Sequence, residues 1–466
     1  MKTASSCSRR EFLSLCAASA AGGVVAGRIA QAAEGGAPRR PPNFVVIFTD
    51  DQGYQDIGCF GSPDIRTPRL DQMAAEGMRF TDFYSAAPLC TPSRAALMTG
   101  CYAQRISLPH VLFPGSTIGI SDKETTIADL LKTRSYARAC VGKWHLGHLK
   151  PFLPTRHGFD YYFGIPYSND MKPTPLMRNE ETIEEPARQE TLTERYTEEA
   201  LKFIAANRDR PFFLYLPHTF PHVPLHVSGR FAGKSKRGLY GDVIEAIDWS
   251  TGQILDKLKE LGLDDNTLVI FTSDNGPWLS KGKDGGSALP LRDGKGTTFE
   301  GGMREPCIMR WPGKIPAGRT CSEIASTIDV MPTLAGLAGA KIPADRIIDG
   351  KDIWPLMSGV AGAKTPHEAY FYSSGNELQA VRSGKWKLHL DRARPQAGRK
   401  KNAPAQGGQK TPAALYDLQA DVGEKNNVAE QNPDVVNRLQ ALADAFRADI
   451  EKNRRPPGSA RTAAAD

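Results

Sequence analysis

Asn43-Phe44-Val45-Val46-Ile47-Phe48-Thr49, followed at once by Asp50-Asp51, is a seven-residue run without a charge that ends in two carboxylates. A run of strand length with no apolar/polar alternation predicts a β-strand covered on both faces. The same pattern returns at Pro211-Phe212-Phe213-Leu214-Tyr215-Leu216 and at Leu268-Val269-Ile270-Phe271-Thr272, and a shorter strand is expected near Tyr136 to Val141. Between these runs the apolar spacing turns helical. Helices are expected over Thr67 to Gly77, from Cys90 to the glycine at 100, over Thr126 to Lys132, over Thr193 to Asn207 and over Leu239 to Leu261. Strands alternating with helices predict an α/β domain whose mainly parallel sheet is flanked by helices on both faces.

Two of the apolar strands finish alike, the first in Asp50-Asp51 and the last in Asp274-Asn275-Gly276. Ligands of open α/β sheets bind at the carboxyl ends of the strands, which places both pairs on one edge. A lone Asp-Asp is most often a turn or a helix cap. Two such pairs at equivalent strand ends bring three carboxylates and an amide oxygen together, a set of hard donors suited to Ca²⁺ or Mg²⁺ and poorly suited to zinc.

Cys90-Thr91-Pro92-Ser93-Arg94 opens a helix on the same edge. Pro92 suits a first turn, where its fixed φ is helical and its missing N–H is not needed. A group at position 90 therefore faces free backbone N–H groups and the positive end of the helix dipole. The bland reading is a buried cysteine, since free cysteine is among the most buried residue types. Three further segments bring basic groups: Gly142-Lys143-Trp144-His145-Leu146-Gly147, Pro217-His218-Thr219-Phe220-Pro221-His222, and Arg292-Asp293-Gly294-Lys295-Gly296-Thr297-Thr298-Phe299-Glu300-Gly301-Gly302. Any one of them alone reads as a solvated loop. Together they predict a cationic cup around a hard metal ion, the arrangement that an oxygen-rich anion requires.

The 466 residues carry a net charge of +7, with 40% hydrophobic and 24% charged residues, the balance of an ordinary globular chain. Ser8-Arg9-Arg10-Glu11-Phe12-Leu13, a short stretch rich in alanine and glycine, and Ala30-Gln31-Ala32 are the parts of a twin-arginine export signal, expected to be cut after Ala32. The signal is too short and too weakly apolar to span a membrane. The expected location is the bacterial periplasm or the cell exterior, with a twin-arginine translocase as partner. Lys2, Arg9, Arg10 and Arg28 against Glu11 account for +3, so a chain cut there keeps +4. That is a mild basic balance, short of a nucleic-acid-binding signature. Cys7 and Cys16 leave with the signal. Cys59, Cys90, Cys101, Cys140, Cys307 and Cys321 remain at irregular spacing, without a CxxC pair, which leaves any disulfide pairing open.

Beyond residue 375 the composition changes. Two short strands are expected at 378–382 and 385–390, meeting at Ser383-Gly384, then a solvated loop over 392–413, a strand at Leu415-Tyr416-Asp417-Leu418 and an amphipathic helix from Asp434 to Asn453. The expected division is a signal over 1–32, a catalytic domain over 33–375, a small α+β subdomain with an antiparallel sheet over 376–455, and a frayed tail over 456–466.

Cys-x-Pro-Ser-Arg, Gly-Lys-Trp-His-Leu-Gly, Asp-Asn-Gly and Gly-Lys-Gly-Thr-Thr-Phe-Glu-Gly-Gly occur in this order from residue 90 onward, and in them the chain resembles the type I sulfatases, the last motif especially their arylsulfatase A and N-acetylgalactosamine-6-sulfatase branch. The resemblance implies an alkaline-phosphatase-like fold and hydrolysis of a sulfate monoester of a carbohydrate or an aryl alcohol. It implies that Cys90 is converted by a formylglycine-generating enzyme to formylglycine, whose hydrate is the nucleophile. It implies metal ligation, by calcium or alternatively magnesium, through Asp50, Asp51, residue 90, Asp274 and Asn275. It implies sulfate binding by Arg94, Lys143 and Lys295, proton transfer by His145 and His222, and a sulfate contact from Ser168 in Tyr167-Ser168-Asn169-Asp170. Asp421-Val422 stands where the family commonly has Asp-Pro, a difference that touches a turn. The competing readings are a phosphonate or phosphodiester hydrolase of the same superfamily and a non-catalytic protein that binds sulfated glycans.

Overall fold

The computed structural model describes residues 40–393 and 410–460. Its large sheet is built from β1 (Asn43–Thr49), β2 (Met78–Tyr84), β3 (Ala137–Val141), β4 (Tyr161–Gly164), β5 (Phe212–Pro217), β6 (Thr267–Ser273) and β7 (Arg304–Arg310), in the order β2-β7-β6-β1-β5-β3-β4, with short strands added at both edges. The five strands from β6 to β4 are parallel to one another. β7 is antiparallel to both β6 and β2. The sheet is thus mainly parallel at its centre and mixed at its edges.

The opening run explains itself in this sheet. Phe44, Val46 and Phe48 point into one core, against Leu97, Met98, Leu130, Leu131 and Leu334. Val45 and Ile47 point into the other, against Leu70, Met73, Tyr196, Ile204, Val243 and Ile247. Alternate side chains of a strand leave opposite faces, so a strand sandwiched between two cores needs an apolar residue at every position. The first core carries α2 (Cys90–Thr99), α3 (Ile127–Lys132) and α6 (Val330–Ala338). The second carries α1 (Pro68–Glu76), α4 (Leu192–Ala206) and α5 (Leu239–Glu260). Thr126 starts α3 with a capping box, its hydroxyl accepting from Asp129 N while the Asp129 carboxylate accepts from Thr126 N.

A second sheet of four antiparallel strands, β8 (Tyr370–Ser374), β9 (Glu377–Ser383), β10 (Trp386–His389) and β11 (Ala414–Asp417), lies against α7 (Pro433–Asn453). Phe446 of α7 stacks on Phe371 at 4.0 Å and 8°. The sheet begins at Tyr370, so the change of composition near 375 falls inside its first hairpin. Pairing of Arg392–Ala393 with Lys410–Thr411 narrows the expected 392–413 loop, whose middle lies outside the described residues, as does the expected export signal.

The expected frayed tail is corrected over its first part. Gly458-Ser459 pairs with Ile118-Gly119, and just before it Arg455 donates from its backbone to Arg105 O (2.7 Å) and from its guanidinium to Glu124 (2.7 and 2.9 Å). The ion pair anchors a segment whose own composition offers nothing to bury. No helix among the described residues is long and apolar enough to cross a membrane.

Candidate active site

β1 and β6 run in register to their ends, Thr49 opposite Ser273, so Asp50-Asp51 and Asp274-Asn275 leave the sheet side by side. Asp51 is held at φ 64°, and its N–H donates to Asp274 Oδ1 (3.2 Å). The Asn275 amide donates to Asp51 Oδ1 (2.8 Å), while its own oxygen is buried without a partner. Gly276 is fixed by proximity: a Cβ there would lie 1.8 Å from Gly301 O, and its N–H donates to Gly302 O (3.2 Å). The Asp-Asn-Gly turn and the Glu-Gly-Gly end of the Lys295 loop are docked backbone to backbone.

Cys90 is the first residue of α2, all ten residues of which are buried. Its thiol donates to Asp50 Oδ1 (3.3 Å) and lies 3.9 Å from Lys295 Nζ. Burial, reinforced by the Asp50 charge, pushes this thiol well above its ordinary range. The thiolate is the nucleophilic form of cysteine, so an unmodified Cys90 is poorly equipped to attack.

Three cations answer the three carboxylates. Arg94 donates to Asp274 Oδ2 from Nε (3.0 Å) and Nη2 (2.8 Å), and to Lys143 O from Nη1 (2.9 Å). Lys143 reaches the end of β1 because Gly142, at φ 137°, lets the chain pass where a Cβ would lie 1.8 Å from Pro217 O. Its ammonium is paired with Asp50 and donates to Ser168 Oγ (3.2 Å). Lys295 pairs with Asp51 at 2.7 Å. Burial would raise the Asp50 carboxyl, but Lys143, His222, Arg94 and Lys295 hold it far below the usual carboxylate range. Burial and the adjacent Asp50 charge instead push Asp274 up to about 7. Carboxylates crowded in this way are the setting that a divalent cation relieves.

The two histidines differ. His222 Nδ1 lies 2.6 Å from Val223 O and 3.2 Å from Asn169 Oδ1, with Ser168 Oγ at 3.5 Å. A carbonyl only accepts, so Nδ1 carries the hydrogen and Nε2, 3.6 Å from Asp51 Oδ2, is the nitrogen turned to the site. His145, at φ 62°, donates from Nε2 to Leu112 O (2.9 Å), which leaves a buried Nδ1 free to accept a proton. Burial lowers both imidazoles, and Lys143 lowers His145 further.

Every residue expected from the sequence is therefore present on one edge, and Asp50, Asp51, Cys90 and His222 place possible ligand atoms within 4.8 Å of one another. The buried, partnerless Asn275 oxygen completes a set dominated by hard oxygen donors, which fits the implied metal ion. Asn169 was not expected. It orients His222, and the signal for it was its place in Tyr167-Ser168-Asn169-Asp170.

Comparison with known proteins agrees with this geometry. The family model described as Sulfatase matches residues 42–340 and the C-terminal region of aryl-sulfatase matches 365–462. The chain belongs to the sulfatase family. This sulfatase is 44% identical over 382 residues to the rat (Rattus norvegicus) N-acetylgalactosamine-6-sulfatase, covering 76% of this chain and 72% of that protein. It is 41% identical over 451 residues to human (Homo sapiens) arylsulfatase A, covering 88% of each. The solved PsFucS1 sulfatase from Pseudoalteromonas sp. superposes with a TM-score of 0.80 at 27% identity, over 90% of this chain and 92% of that one. The sulfatase is a sulfuric ester hydrolase with an alkaline-phosphatase-like fold, and its relatives favour sulfate esters over the phosphonate, phosphodiester and binding-only alternatives.

Proposed function

We propose that the enzyme releases sulfate from a sulfated carbohydrate or an aryl sulfate by way of a formylglycine made from Cys90. The observation that carries this reading is the position of Cys90 Sγ, at a helix N-terminus, 3.3 Å from Asp50 and 3.9 Å from Lys295, in a cup closed by Arg94, Lys143 and His222. Asp50, Asp51, Asp274, Asn275 and residue 90 would hold a divalent cation, calcium in the first instance with magnesium suited to the same donors, which supplies Lewis acidity toward a bound hydroxyl and a sulfate oxygen. Hydrated formylglycine would supply two hydroxyls: one, ionised beforehand, would bond to sulfur as the sulfur–oxygen bond to the alcohol breaks, and the other would lose its proton as the carbon–oxygen bond to sulfate breaks and the aldehyde returns.

The protein's own groups set up these events. A sulfate ester repels a nucleophile, and Arg94, Lys143 and Lys295 offset that charge in a buried site, where fixed cations act with little screening. Ser168, within reach of both Lys143 and His222, fixes the orientation of the anion. His222, with its Nδ1 hydrogen held by Val223 O, would take up a second hydrogen on Nε2 and in that imidazolium form protonate the departing alcohol. His145 Nδ1 takes the proton released with sulfate. Residues 33–375 carry this chemistry and 376–455 brace the Lys295 loop. A maturing enzyme oxidises Cys90 before a twin-arginine translocase exports the folded protein to the periplasm or the cell exterior.

Mass spectrometry of the peptide containing residue 90 from correctly exported protein should find aldehyde in place of thiol, and that protein should desulfate members of a panel of sulfated sugars and aryl sulfates. A protein that turns over sulfate esters with only thiol at 90 sinks the mechanism.

A further inference from the structure

Beside the cationic cup, in the turn that follows Asp274-Asn275-Gly276-Pro277, stands Trp278. Its ring centroid is 5.6 Å from that of His222, and the ammonium groups of Lys295 and Lys281 lie 4.4 and 4.2 Å from it. Trp278 also lines a cavity of about 510 Å³ with Asp170, Val223, Leu225, Lys281 and Asp284. That volume is within the range of small-ligand sites, which combine an apolar lining with a few polar groups that set orientation. Neither Asp170 nor Asp284 has an ion-pair partner among the described residues.

Resting on the proposed sulfatase reading, we propose that this cavity is the leaving-group subsite, that Trp278 is the platform for a pyranose ring, and that the ring carries free hydroxyls and no second anionic group. The alcohol oxygen that takes a proton from His222 must lie near its Nε2, and the carbon skeleton attached to it must extend away from the charged cup. The space bounded by Val223, the residue after His222, and by Trp278 receives it. A pyranose has an apolar C–H face and a hydroxyl edge. An indole with Val223 and Leu225 suits the face, and two carboxylates, which only accept hydrogen bonds, suit the hydroxyls. A second sulfate or a carboxylate at the hydroxyl edge of that ring would meet Asp170 and Asp284, two carboxylates without an ion-pair partner among the described residues. A planar aryl alcohol presents no hydroxyl edge and gains less from the cavity.

The test is steady-state kinetics of aldehyde-bearing enzyme on 4-nitrophenyl sulfate and on monosulfated and disulfated hexoses and hexosamines. Trp278→Ala should raise KM for the best monosulfated sugar about tenfold, with kcat changing less, and so lower the sugar-to-aryl ratio of kcat/KM. Trp278→Phe keeps a platform and should keep most of that ratio. Asp170→Asn with Asp284→Asn should shift preference toward the disulfated sugar. An equal loss on sugar and aryl substrates, or a change in kcat alone, would reduce Trp278 to a support for Lys295 and His222 and overturn the proposal. Wild-type turnover of the aryl sulfate without any sugar overturns the subsite while the sulfatase reading stands. Turnover of neither class by aldehyde-bearing protein brings down both.

Discussion

Arg94 places Nε and Nη2 on a single oxygen of Asp274, at 3.0 and 2.8 Å, with neither side chain exposed. The same guanidinium reaches Lys143 O, so one side chain fixes a candidate metal ligand and the backbone of Lys143, the lysine proposed to bind sulfate. A lysine cannot reproduce this fork. Hydrogen bonds to charged groups contribute about 1.5–3 kcal/mol each, so Arg94→Lys should lower kcat/KM by at least about tenfold. Arg94→Met should cost about 3–5 kcal/mol of stability, because it strands buried carboxylates. Activity and chemical denaturation of the two variants check both expectations.

Removal of divalent cations should expose the same crowding. With Asp50 held ionised by its cations and Asp274 pushed up by burial and by Asp50, a chelator should abolish activity and lower the melting temperature. A ligand at 100 times its dissociation constant stabilises by about 2.7 kcal/mol, a shift that a thermal scan resolves. Calcium or magnesium should restore both properties, and Asp51→Asn should blunt the thermal response. A melting temperature indifferent to chelator contradicts the proposed ligands.

The centre of this enzyme is plain in its sequence because the strands that carry the chemistry are covered on both faces, so β1, β5 and β6 are written as unbroken apolar runs. β2 and β7 are not. Arg304, Glu305, Pro306 and Arg310 leave β7 without an apolar run, yet the strand is buried throughout. Its arginines are neutralised from other elements, Arg310 by Glu76 and Asp264 and Arg304 by Asp82 and Glu300, and its register shifts between Glu305 and Cys307, across the proline. Partners so distant in sequence leave no local signature. The site shows the same division. Residue types and strand ends point to the acids and the cations, whereas the nitrogen that His145 presents depends on Leu112 O, which only folding brings into place.

Glu300, inside the Lys295 motif, acquires a role of this kind. Its carboxylate accepts from Lys387 (2.9 Å), Tyr372 (2.9 Å) and Tyr84 (2.6 Å), and Lys387 also pairs with Glu424 at 2.9 Å, all three charged side chains being fully buried. Lys387→Met removes the cation that the two carboxylates share, leaving Glu300 to Arg304 and Glu424 to His389, and should cost about 3 kcal/mol in denaturant unfolding. Replacing Lys387, Glu300 and Glu424 together with apolar residues should cost less than the single change. A Lys387→Met protein as stable as the parent contradicts the proposed bracing of the Lys295 loop by the small sheet.

Asp248 of α5 caps another helix. Its carboxyl accepts from Leu70 N (2.7 Å) and Arg69 N (3.0 Å) at the start of α1, where Thr67 makes no side-chain cap. Burial pushes this carboxyl up to about 7 against the lowering effect of those N–H groups. The folded protein therefore keeps a proton that the unfolded chain releases near pH 4. Between these values the folded state binds more protons than the unfolded state, so this group's contribution to stability falls as pH rises from about 4 to about 7 and is level beyond, with a limiting slope of about 1.4 kcal/mol per pH unit. Asp248→Asn lacks this titration, and the difference in unfolding free energy between parent and variant, followed from pH 5 to pH 8, should move in favour of the variant. A difference independent of pH, or one that moves toward the parent, means that the two backbone donors outweigh burial and keep Asp248 ionised across the range.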